Sequence, residues 1–297
     1  MSKVFNMVGG GGGGGGGPAA SIFVKGLSQT DTVTATNGSK TKTGVWTQKP
    51  NPEIVVPDGY TQLEYIESSG TQYIDTEFKP NGTTKIVCDF QMVNQGTEQQ
   101  GVFGSRPGES RRFSLFTGHG TSSLQVDYNT SESLAISGNS ISGLNLNNRN
   151  TIEVSNSLII NGNTIKTVSA VSFTSTYNLF LFANNNAGTA QLLGTLKLYS
   201  CQIYDNGLLV RDFIPCKKDD GTVGVWDNVN SVFYGNARTG VFTAGAEVPQ
   251  TIYGFLIKPI RDFGTWTVTA TDGAKTATQD VLVDVITEYE IEMSLSA

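Results

Sequence analysis

Thr32-Val33-Thr34-Ala35-Thr36-Asn37-Gly38-Ser39-Lys40-Thr41-Lys42-Thr43 returns, little changed, as Thr267-Val268-Thr269-Ala270-Thr271-Asp272-Gly273-Ala274-Lys275-Thr276-Ala277-Thr278. Each copy alternates β-branched or small apolar residues with polar ones, breaks at Asn-Gly or Asp-Gly, and alternates again. Those dipeptides tolerate the positive φ angles of a tight hairpin loop, so each copy predicts a β-hairpin. A lone hairpin is marginal in water. The copies are separated by residues 44–266. Two matched hairpins that form opposing halves of one small sandwich require the chain to leave and return at nearly the same place. The expectation is a β-sandwich interrupted by a second, larger β domain.

The rest of the chain agrees with an all-β reading. It has 297 residues, 35 of them glycine, and only 15% are charged. Its length suits about two domains. Short apolar runs broken by Gly and Asn recur, and no long amphipathic helical pattern interrupts them. Prolines at 50, 52 and 57 place the exit from the first domain, and Val248-Pro249 places the return. The predicted domains are an N-terminal anchor and poly-glycine segment (1–20), a split sandwich (21–52 plus 248–297) and an inserted domain (53–247). In the insert, Ile86, Cys88, Phe90 and Met92 share one strand face, with Asp89 and Gln91 on the other. Asn161-Gly162 and Asp205-Asn206-Gly207 predict two further hairpins.

Net charge is −6 and the pI is about 4.9. No Lys/Arg stripe marks a nucleic-acid footprint, and no apolar run reaches a membrane span. Met1 to Val8 is too short for a signal-peptide core, so synthesis in a cytoplasm is expected. Cys88, Cys201 and Cys216 lack CxxC spacing, and one histidine, His119, anchors no metal set, so neither metal nor cofactor is expected. No Gly-x-Ser-x-Gly elbow, phosphate loop or His-Glu-x-x-His is present, and no catalytic residue is assigned. The nine glycines Gly9 to Gly17 read either as a flexible linker or as strands packed among neighbouring subunits, where the missing Cβ permits close approach.

Three segments resemble the laminin-G-like, concanavalin-type jelly rolls of phage and bacterial surface proteins. They are Tyr60-Thr-Gln-Leu-Glu-Tyr-Ile-Glu-Ser-Ser-Gly-Thr-Gln-Tyr-Ile-Asp-Thr76, Gly194 to Cys216, and the stretch from Gly224-Val-Trp-Asp227 through Phe233-Tyr-Gly-Asn-Ala237 to Gly245. The flanking halves resemble a bacterial or phage immunoglobulin-like module, with Gly264-Thr-Trp-Thr-Val-Thr-Ala-Thr-Asp-Gly273 as its hairpin. The glycine-rich head is similar to openings of phage virion proteins. These resemblances imply an immunoglobulin-like sandwich interrupted by a larger concanavalin-like jelly roll. They imply binding or scaffolding at a surface. With the insertion topology, the absent signal-peptide core and no strand face carrying the carboxylates a glycosidase needs, the expectation is a non-enzymatic phage virion protein of tail-fibre or receptor-binding type that holds a cell-surface or mucus polysaccharide. Residues 1–18 would contact other virion proteins, and the chain would form a homo-oligomer, a trimer among the options. A capsid decoration or head-fibre role and a bacterial surface adhesin are the alternatives.

Candidate ligand residues are polar groups between strands. Arg106, Arg111 and Arg112 surround Pro107-Gly108-Glu109, where guanidinium forks suit carboxylated or phosphorylated glycan; a solvated charged loop is the other reading. His119 falls in a predicted Gly-His-Gly turn. Asn184 and Asn185 belong to a predicted turn whose amides could bond sugar hydroxyls. Trp226 and Phe233 are expected in the core.

Overall fold

The computed structural model describes residues 18–93, 98–118, 120, 122–134 and 141–295. The glycine run and His119 lie outside the described residues. Every helix or strand assigned among them is a β-strand, and the chain is all-β. It divides into two compact units. One comprises the described residues up to Pro52 and from Pro249 onward; the other is Glu53–Val248.

The first unit opens with β1 (Ala20–Lys25), β2 (Thr32–Asn37), β3 (Lys40–Thr43) and β4 (Val45–Pro50). The second unit carries β5 (Tyr60–Gln62), β6 (Ile66–Glu67), β7 (Ile74–Asp75), β8 (Lys85–Met92), β9 (Gly101–Arg106), β10 (Ser110–Thr117), β11 (Leu124–Thr130), β12 (Asn150–Val154), β13 (Ser157–Ile160), β14 (Asn163–Thr167), β15 (Phe180–Leu181), β16 (Asn184–Asn186), β17 (Thr189–Gln191), β18 (Leu196–Asp205), β19 (Leu208–Lys218), β20 (Val223–Asp227), β21 (Val232–Tyr234) and β22 (Thr243–Ala244). The chain then completes the first unit with β23 (Thr251–Ile260), β24 (Gly264–Thr271), β25 (Thr276–Val283) and β26 (Glu288–Glu292).

The first unit is two four-stranded sheets, ordered β26-β1-β23-β4 and β25-β24-β2-β3. The strand that leaves, β4, pairs antiparallel with the strand that returns, β23, as far as Pro50 opposite Thr251. The twin hairpins do not form opposing halves. They lie edge to edge in one sheet, with Val33 opposite Ala270 and Ala35 opposite Val268. The repeat explains this. Identical alternation in two antiparallel strands turns both apolar sets to the same face, and pairing joins backbone groups that an edge would leave open. The facing sheet supplies Ile22, Val24, Phe255 and Ile257 to a core shared with Val33, Trp266, Val268 and Val283. Trp266 is fully buried, and its Nε1 donates to the Asp262 carbonyl at 2.9 Å. Trp46 is only half-buried, its ring stacked on exposed Tyr253 at 6.2 Å.

In the second unit, a sheet built on β11-β10-β9-β15-β7 faces one built on β14-β13-β12-β8-β18-β19-β20-β21. One apolar core gathers Phe90 and Met92 from β8 and Leu198 from β18 with Phe103, Phe113, Leu115 and Val126 from the other sheet. Asn161-Gly162 and Asn206-Gly207 both turn with positive φ, as tight hairpin loops between antiparallel strands require. Trp226 and Phe233 are half-buried rather than core. The pleat turns Val225 and Asp227 inward, so Trp226 faces out, against Tyr60 at 4.9 Å.

Candidate functional site

Gly104, Ser114 and Asp127 stand side by side on β9, β10 and β11, in register across three strands. Strand alternation turns their side chains away from the apolar core, which takes Phe103, Phe113 and Val126 instead. Asp127 is nevertheless fully buried. A buried carboxylate is costly unless paired and hydrogen-bonded. Here the Ser114 hydroxyl donates to Oδ2 at 2.8 Å and the Glu132 amide donates to Oδ1 at 2.8 Å. Arg106, two residues along β9 from Gly104, brings its Nε to 3.0 Å from Oδ2. Its guanidinium also lies over the Phe116 ring, 5.0 Å from the centroid. The approach to Asp127 is an ion pair and not a directed hydrogen bond, because Nε has no hydrogen-bond partner.

Asn184 completes this face. Residues 184–186 are not a turn: they form β16, which runs parallel to β9 with Asn185 opposite Ser105 and Asn186 opposite Arg106. The turn falls one step later, at Ala187 and Gly188, both with positive φ. That register carries Asn184 over Gly104, where the absence of a Cβ leaves room for its amide. Asn184 is 1% exposed, yet neither its Nδ2 nor its Oδ1 has a hydrogen-bond partner. Buried polar groups are nearly always satisfied. Arg106 Nε and the Asn184 amide are the buried side-chain atoms left without a hydrogen-bond partner among the described residues, and they share one sheet face.

The other candidates sort by their contacts. Asn185 points the opposite way along β16 and is fully used: its Nδ2 donates to the Asn178 carbonyl at 2.8 Å and its Oδ1 accepts from the Gly188 amide at 2.8 Å. Arg112 folds back on its own loop, donating from Nε to the Gly108 carbonyl and sitting 3.5 Å from Glu109. Arg111 is exposed and, with a φ of 62°, sits at a bulge where its amide donates to Asn129 Oδ1 at 3.3 Å. It lines an open hollow of about 240 Å³ with Pro107, Gly108, Glu109, Ser110 and Thr176. The structure therefore brings Arg106, Arg111, Arg112, Asn184 and Asn185 to one end of one sheet. It also adds Asp127 and Ser114, which sequence reasoning passed over as ordinary strand residues. An Asp inside an alternating strand was the available signal, since Asp is depleted there.

Among the described residues, no cluster of three His, Cys, Asp or Glu side chains could hold a metal ion. No helix there is long and apolar enough to cross a membrane. The chain matches no protein-family model and no curated protein sequence.

Proposed function

We propose that this chain is a non-enzymatic phage virion protein whose second unit binds an acidic cell-surface or mucus polysaccharide. The observation that carries the binding role is the buried Asn184 amide, whose Nδ2 and Oδ1 have no hydrogen-bond partner, on the sheet face that also carries the Arg106–Asp127 ion pair. A hydroxyl both donates and accepts, which is what an unsatisfied amide lacks. A carboxylated or phosphorylated sugar suits guanidinium forks such as those of Arg106 and Arg111. The virion setting rests on the resemblance of the glycine-rich head and of both units to phage modules. One shallow site gives weak affinity, so adhesion would draw its strength from many copies on one particle.

The test is retention of the full chain on immobilised acidic and neutral polysaccharides, beside antibody labelling of particles by electron microscopy. Retention on acidic polysaccharide that added salt weakens is expected. Particle labelling without retention on any polysaccharide, even at millimolar protein, would leave a mechanical capsid-decoration role. Absence of label from every particle would remove the virion setting.

A further inference from the structure

Cys88 and Cys201 face each other across β8 and β18. The pairing of these strands contains an irregularity between Leu198 and Ser200. Before it Leu198 stands opposite Phe90; after it Ser200 stands opposite Asp89 and Cys201 opposite Cys88. Without that extra residue Ser200 would oppose Cys88, and Cys201 would point outward with Tyr199. The bulge thus brings two cysteines together inside the core. Both are free thiols and both are fully buried. Directly opposed antiparallel residues have Cα atoms about 4.5–5.5 Å apart, inside the roughly 4.4–6.8 Å window of disulfides. Cys216 is not a competitor. It sits on β19 opposite Gly224, whereas Cys201 is opposite Phe213 on that strand.

We infer that Cys88 and Cys201 are a latent cross-strand disulfide, formed when the chain folds or transiently opens in an oxidising medium. The oxidant is a low-molecular-weight disulfide. One cysteine thiolate attacks a sulfur of the reagent and releases one reagent thiol. The second thiolate then attacks the mixed disulfide, closing the Cys88–Cys201 bond and releasing the other reagent thiol. The two protons lost by the cysteines end on the released thiols, and two electrons pass from protein to reagent. Burial pushes the Cys88 thiol up, with neighbouring Cys201 and Asp89 adding to the effect. The packed state therefore reacts slowly, and an opened state is the one that oxidises. The bond would tie the two strands at the centre of the larger sheet.

The full chain is refolded from urea with glutathione disulfide, alkylated, and examined by intact mass and peptide mapping. The expected product carries one alkyl group, on Cys216, and is two hydrogens lighter than a singly alkylated chain with two free thiols, with peptides linked through Cys88 and Cys201. Its urea midpoint lies above that of the reduced chain, and dithiothreitol restores the lower value. Cys88→Ala and Cys201→Ala lose both link and response, while Cys216→Ala keeps them. Alkylation of both Cys88 and Cys201 after oxidising refolding, a link through Cys216, or an unmoved or lowered midpoint overturns the inference. If the alanine variants do not fold, the map of the unsubstituted chain decides alone.

Discussion

The Oδ1 of Asn184 lies 2.0 Å from the point where a β-carbon on Gly104 would stand. Glycine at 104 is therefore a requirement of the Asn184 amide. Gly104→Ala must push that side chain off the sheet or shift β16 along β9. Overpacking of this kind costs about 1–3 kcal/mol. Urea denaturation should show a loss in that range, and polysaccharide retention should fall with it. A variant of unchanged stability and unchanged retention would separate Asn184 from the site.

Asp127 and Arg106 should prove coupled. Removing one member of a buried ion pair typically costs about 3–5 kcal/mol. Arg106 keeps 23% of its side chain exposed, so Asp127→Leu should fall near the lower end of that range. Arg106→Leu leaves Asp127 its hydroxyl and amide donors but no countercharge. The double variant should recover part of the summed loss in thermal melts. Strict additivity would mean that the two charges do not support each other.

Glu290 makes the first unit sensitive to acid. Desolvation works to raise its pKa, but the ammonium groups of Lys25 and Lys49 outweigh that and hold it below the usual carboxylate range. A depressed folded pKa contributes stability that is present above the unfolded value of about 4.3 and is lost as pH falls through the folded value. The first unit's urea midpoint should therefore drop on acidification through and below pH ~4, more steeply than in Glu290→Gln. Parallel acid profiles for the two proteins would count against this pairing.

Trp266 should dominate the first unit. It is fully buried and hydrogen-bonded to the Asp262 carbonyl. Trp266→Ala removes a ring from the shared core, at a cost of about 3–5 kcal/mol, against a total of about 5–15 kcal/mol for a whole domain. Circular dichroism during heating should show early loss of part of the β signal, with the remainder melting as before because the second unit has its own core. A single transition shifted as a whole would show that the units unfold together.

The duplicated Thr-Val-Thr-Ala-Thr stretch announced paired hairpins, and strict alternation announced which residues of β8 enter the core. What it could not convey is partner choice. The same alternation serves a ribbon stacked against its twin or lying beside it, and only backbone pairing decides between them. The site shows the same limit. Arg106 and Asn184 stood out as polar groups between strands, but their meeting depends on β16 running parallel to β9 after the turn that begins at Phe182, whose φ is 66°. The inward turn of Cys201 was equally hidden, because one bulged residue resets the pleat without any glycine or proline to mark it.

In the first unit, β1 lies between β23 and β26, antiparallel to one and parallel to the other. During translation, residues 20–25 leave the ribosome long before residues 251–292, and β1 has no paired neighbour until those follow. The enclosed Glu53–Val248 unit can mature in the meantime, since its strands are all local to it. Ribosome-stalled chains ending before β23 should therefore carry an exposed, unpaired Ile22-Phe23-Val24 segment that chaperones capture, and release should coincide with synthesis of β23 through β26.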